Sequence, residues 1–175
     1  MYFIQNIHSS TPLRMTLKMT FRRRLKGASI EEIRHVMDVN VWANKVLIDV
    51  LFERLENVDQ IVAISPGAAV SGSRGWNAYS LSKATLNMLI DLYSKEYASC
   101  HFCALAPGLI ETGMQDYITG LPDSYQAKYP LVKILKEARG TEKMPKPMET
   151  AKIVSKSIAN ALKQPSGSFL DVREM

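Results

Sequence analysis

The sequence predicts an α/β fold in which a parallel sheet is covered by helices on both faces, and three observations carry that prediction. Residues 60–64 (QIVAI) and 100–106 (CHFCALA) are short continuous apolar runs, the pattern of strands buried on both faces. Residues 29–56, 77–98 and 148–163 show helical period instead, so strands and helices alternate along the chain. Each apolar run ends in a turn signal, Ser65-Pro66-Gly67 and Pro107-Gly108. Helices alternating with buried strands are the sequence form of a parallel sheet wrapped by helices.

Residues 1–28 carry no sustained helical or strand period, and they mix Ser, Thr and Arg without an acidic residue. Two origins fit such a segment: a mitochondrial presequence, or residues joined to a genuine domain by a misplaced start or a frameshift. Order begins at Ser29, where Ser29-Ile30-Glu31-Glu32 makes a capping box, the serine covering one free amide and Glu32 reaching back to another. The helix that follows aligns Ile33, Met37, Leu47 and Leu51 on one stripe with Asn40 and Asn44, and buried amides need partners. After the strand at residues 60–64, a small-residue loop runs to Gly75 and a second long helix follows. The second strand ends at Pro107-Gly108. From Leu109 to Lys146 helical pieces are interrupted at Gly120, Pro122, Pro130 and Gly140. A last helix is stopped by Pro165-Ser166-Gly167, and residues 168–172 form a final short strand. The chain thus divides into a basic unpatterned segment, 1–28, and one domain, 29–175.

At 175 residues, 46% hydrophobic and 22% charged, the composition is that of a single globular domain. The net charge of +5 is local: residues 1–30 hold six of the 22 basic residues and none of the 17 acidic ones, leaving 16 basic against 17 acidic elsewhere. That cluster has no aromatic interleaving and no accompanying nucleic-acid module, so no nucleic-acid partner is expected. Lys45, Asp49 and Glu53 break the best apolar stretch well short of the roughly 18 residues of a membrane span, so no membrane is expected either. Two cysteines cannot build a disulfide framework and point to a reducing, cytoplasmic setting. Cys100 and Cys103 have the spacing of half a metal site, but on a strand residues three apart face opposite sides. His8, His35 and His101 are scattered, and no metal is assigned.

Tyr79 and Lys83 form Y-x-x-x-K near the start of a helix, which places both on one face. A phenol with a pKa near about 10 is a poor acid–base catalyst at neutral pH, and an adjacent ammonium should lower it. Such a pair can give a proton to a carbonyl oxygen as hydride reaches its carbon. Alone the spacing is common, and a surface pair is the plainer reading.

Its context is more specific. Asn40, the strand IVAIS, the loop GAAVSGSRGW, the helix NAYSLSKATLNML, the strand CHFCALA and the turn PGLIET follow one another in an order that resembles the short-chain dehydrogenase/reductase family, from Ser29 to the C-terminus. The resemblance implies an incomplete Rossmann-type doubly wound parallel sheet, the C-terminal, catalytic part of that fold. It implies that Tyr79 is the proton donor, that Lys83 assists it and binds the nicotinamide ribose, and that Asn40 holds a proton-relay water. Pro107, Gly108, Leu109, Ile110 and Thr112 would pack along the nicotinamide and its carboxamide, with Ile64 and Ser65 bordering the pocket and residues 109–146 forming a mobile excursion on the substrate side. The cofactor would be NADP, or NAD, and the substrate a small-molecule carbonyl compound. ISPGAAVSGSRGWNAYSLSK and the ending GSFLDVRE are most similar to the sepiapterin reductase and benzil reductase group, which implies reduction of a ketone or diketone. The two long helices often join subunits in this family, so a homo-oligomer is expected, with Trp42 and Met88 as interface residues unless they are ordinary core.

Two departures support an alternative. The family places a catalytic serine thirteen residues before the tyrosine, and Pro66 stands there. Ser65 is the adjacent candidate, although one step along an extended chain turns a side chain away, and Ser71 and Ser73 lie on the following loop. The family also opens with a glycine-rich turn whose amides cradle the cofactor pyrophosphate, whereas residues 1–28 contain one glycine, Gly27. The alternative expectation is a catalytically impaired or inactive remnant or scaffold of the same fold.

Overall fold

The computed structural model describes residues 2–5 and 25–175. His8 and the basic residues Arg14, Lys18, Arg22, Arg23 and Arg24 lie outside the described residues, and with them most of segment 1–28. Four strands form one sheet in chain order, β1 (Tyr2–Gln5), β2 (Gln60–Ile64), β3 (His101–Ala106) and β4 (Phe169–Asp171). β2, β3 and β4 are parallel, with Gln60 opposite His101, Ile64 opposite Leu105 and Ala104 opposite Phe169. β1 departs from the expected pattern: it pairs antiparallel with β2, Tyr2 opposite Ala63. Four residues are too few to display a strand period.

The capping box at Ser29 is complete, with Glu32 N donating to Ser29 Oγ at 3.1 Å and Ser29 N donating to Glu32 at 3.1 Å. It opens α1 (Ile30–Met37), which passes through a π turn (Asp38–Trp42) into α2 (Ala43–Arg54). The π turn is where the buried amides find partners. Asn44 Nδ2 donates to the Asn40 carbonyl at 2.6 Å, and Asn40 Nδ2 donates to Ser82 Oγ at 3.0 Å. A short α3 (Ala68–Ser71) precedes the long α4 (Asn77–Glu96). Tyr93 of α4 donates to Asp49 of α2, which Lys45 also bonds, so the two helices are joined by a polar tie as well as by packing.

Period-two alternation divides the core between the sheet's faces. Ile61, Ala63, Phe102 and Ala104 pack on Ile48 of α2 and on Leu86, Ile90 and Tyr93 of α4. Val62, Cys103 and Leu105 pack on the other face against Val154, Ile158 and Ala161. Cys100 belongs to the first layer and Cys103 to the second, and burial pushes both thiols up to about 12.

Between β3 and β4 the interrupted stretch is ordered into α5 (Gly113–Thr119), α6 (Ser124–Lys128) and α7 (Pro130–Ala138), followed by α8 (Pro147–Ala161), which covers the second face. The three short helices have a core of their own, in which Ile118, Tyr129, Val132, Leu135 and Met144 close against Trp76 and Tyr79. Lys136 fastens α7 to the α5–α6 link through the Leu121 carbonyl at 2.7 Å and Asp123 at 2.9 Å. The turn after α8 presses on α4 so closely that a Cβ at Gly167 would lie 2.5 Å from Ser94 Oγ, and its φ of +89° also favours glycine. Among the described residues no helix is long and apolar enough to cross a membrane.

Candidate active site

Tyr79 and Lys83 lie one turn apart on the buried side of α4, 6% and 3% exposed. Lys83 Nζ donates to the Ile64 carbonyl at 2.8 Å, tying the helix to the C-terminal end of β2. That end of a parallel sheet is where ligands bind, and a cavity of about 620 Å³ opens there. Ile64, Tyr79 and Lys83 line it together with Pro107, Gly108, Leu109, Ile110 and Thr112. Gly108 has φ +75°, which lets the chain turn sharply off β3 and present bare backbone to the cavity. Arg173 lies over this turn, its guanidinium held by Asp171, and the same contact keeps the Asp171 carboxyl below the usual carboxylate range.

Two expected residues are not on the wall. Ser65 is fully buried, its amide bonds the Leu105 carbonyl at 2.9 Å, and its Oγ has no partner. The alternation of the extended chain points Ile64 and Pro66 at the cavity and Ser65 away from it. Asn40 lies behind α4, where its bond to Ser82 continues through Ser82 Oγ to the Tyr79 carbonyl at 2.8 Å. Asn40 therefore supports the turn that carries Tyr79, and its own carbonyl is occupied by Asn44.

The electrostatics differ from the expectation of a phenol lowered by its lysine. Burial pushes the Tyr79 phenol up to about 12 and the Lys83 ammonium down to about 8. Both groups are desolvated together, which disfavours each charged form, and the Lys83 bond is directed at Ile64. At neutral pH Tyr79 is thus a neutral hydroxyl that can give a proton.

Sequence reasoning missed the opposite wall, built by Trp76, Met114, Gln115, Ile118, Leu131 and Leu135, and the floor contributed by Thr150 and Val154 of α8. Its one signal was the 114, 115, 118 spacing on α5, a helix too short for period to stand out. The cavity suits the nicotinamide end of a dinucleotide, because glycine backbone, Thr112 and Lys83 supply polar groups between apolar walls. Upstream of β2 the described residues include one glycine, Gly27, and no glycine-rich turn for a pyrophosphate.

The sequence profile of the short chain dehydrogenase family matches residues 19–120, and the chain belongs to that family. It is 27% identical over 149 residues to an uncharacterized oxidoreductase of Schizosaccharomyces pombe, covering 85% of this chain and 60% of that protein. It is 34% identical over 91 residues to the (S)-benzoin-forming benzil reductase of Saccharomyces cerevisiae, covering 49% of this chain and 35% of that enzyme. The crystal structure of a short chain dehydrogenase/reductase from Saccharomyces cerevisiae superposes with a TM-score of 0.72 at 17% identity, over 89% of this chain and 63% of the other. The chain therefore spans 60% or less of these curated relatives, and its architecture is an incomplete Rossmann-like sheet.

Proposed function

We propose that this chain supplies the carbonyl-reducing centre of an NAD(P)-dependent oxidoreductase acting on a small ketone or diketone. The observation that carries this reading is the placement of Tyr79 and Lys83 on one cavity wall at the C-terminal end of β2. When bound, the cofactor supplies hydride to the substrate carbon. Tyr79, kept neutral by burial, donates its proton to the carbonyl oxygen as negative charge develops there. Lys83 stabilises the phenolate that remains, and with Ile64, Pro107, Gly108, Leu109, Ile110 and Thr112 it would hold the nicotinamide end. Asn40 keeps Tyr79 in place through Ser82. The similarity to a benzil reductase supports a diketone or ketone substrate and NADP, with NAD as the alternative. Two free, buried cysteines accord with the cytoplasm.

One observation favours a second reading, an impaired remnant of the fold. Pro66 occupies the place of the family's serine, and the Ser65 hydroxyl faces away from the cavity. The wall hydroxyls nearby belong to Ser71, which is bonded to the Gly67 carbonyl at 3.0 Å, and to Ser73. Titration with NADPH, followed by its fluorescence and by ketone-dependent oxidation, separates the readings. Micromolar binding and turnover that disappear in Tyr79→Phe, with unchanged circular dichroism, are expected. No binding at millimolar cofactor, or full activity in Tyr79→Phe, would overturn the reductase reading.

A further inference from the structure

We propose that Gln115 reads the substrate, accepting a hydrogen bond from an O–H or N–H group carried beside the reacting carbonyl. The inference rests on the reading of this cavity as the site of a small carbonyl compound, and it narrows that compound to one with a neighbouring donor, such as an α-hydroxy ketone. Gln115 is 9% exposed and lines the cavity, yet its Oε1 is buried without a hydrogen-bond partner. A buried amide oxygen left unpaired is costly enough that native proteins rarely keep one without a use. Its helix does not explain it: Thr119 Oγ1 donates to the Gln115 backbone carbonyl at 2.7 Å, and the side chain has no part in that bond. Nor does its surroundings, since Met114, Ile118, Leu131 and Leu135 on the same wall are apolar. One primary amide among apolar walls is the arrangement by which pockets fix a ligand's orientation.

The missing donor has two sources, the carboxamide of a nicotinamide and a hydroxyl of the substrate. Position favours the substrate. Met114 and Ile118, which flank Gln115 in α5, pack in the cluster of Trp76 and Tyr79, so the amide lies with the proton-donating phenol.

The test uses the full chain and two probes, 2-hydroxyacetophenone and 2-methoxyacetophenone, which share ring and carbonyl and differ in the O–H donor. Affinities come from calorimetric titration and from the ligand-induced rise in Tm, neither of which needs turnover. The hydroxy ketone should bind about five- to tenfold more tightly, the worth of one neutral hydrogen bond. That preference should vanish in Gln115→Met with circular dichroism and NADPH affinity unchanged, and Gln115→Leu repeats the comparison if the methionine variant is misfolded. Equal affinities in the unaltered chain, binding of neither probe, or a preference that survives in the variants overturns the proposal. Loss of NADPH affinity in place of the preference assigns the amide to the nicotinamide and overturns it likewise. A chain that shows the preference but never oxidises NADPH refutes the reductase reading and leaves the role of Gln115 standing.

Discussion

Lys83 is a cation held where a cation is costly, and its titration can be followed as stability. Its folded pKa of about 8 lies below the ordinary 10.5, so between these values the unfolded chain binds more protons and stability rises with pH. The contribution is present above about pH 10.5 and is lost as pH falls through about 8. Lys83→Met removes the group, so the variant should be the more stable below pH 8, by roughly 3 kcal/mol, and the gap should close towards pH 10.5. Urea midpoints of both chains from pH 7 to 10 measure this, and parallel curves would show that Lys83 is not desolvated. Tyr79 has the opposite sign, since a phenol raised to about 12 loses its contribution only as pH rises above about 10. The Tyr79–Lys83 pair was legible because a helix fixes the relation of residues four apart. The direction of Ser65 followed from strand alternation, but the phenol's charge state did not follow from spacing. It depends on how much apolar surface closes over the pair, and that surface comes from Trp76 and α5–α7, distant in sequence.

At the level of elements, long periodic segments and continuous apolar strands announced themselves. The capping box set the start of α1 at the residue expected, and β2 was placed at residues 60–64 as read. Short elements did not: β1 has four residues and α5 to α7 have between five and nine, too few turns for a pattern to rise above composition. The π turn was visible only as a demand, two asparagines on a stripe that had to be satisfied. A widened turn answers it by loosening the backbone ladder at Asn40 so that Asn44 can reach the carbonyl. The link after α8 is the most sterically constrained of these elements. Gly167→Ala forces a Cβ against Ser94 and Asp91 at a positive φ, and a loss of about 1–3 kcal/mol is expected in chemical denaturation. An unchanged midpoint would mean that the turn can move off α4 freely.

For the whole molecule, the surface of α2 and α4 opposite the sheet is unusually apolar. Trp42, Val46 and Val50 on the first helix and Leu81, Met88 and Leu92 on the second are exposed, with Trp42 at 49% and Met88 at 57%. Single exposed apolar residues need no explanation, but stripes along adjacent helices mark contact surfaces. A dimer is expected in sedimentation equilibrium, and Trp42→Glu with Met88→Glu should convert it to monomer without unfolding it. A chain already monomeric at tens of micromolar would sink this expectation. The two cysteines carry a different consequence. Each thiol is sealed beneath a different helical layer, and each is held protonated well beyond neutrality, so alkylating reagents can reach it only when its layer lifts. Cys100 and Cys103 are thus a pair of built-in clocks on opposite sides of one strand. Matching labelling rates would show that the α2–α4 layer and the α8 layer come away as one cooperative unit, the outcome expected of a single domain, whereas a faster Cys103 would time the departure of α8 alone.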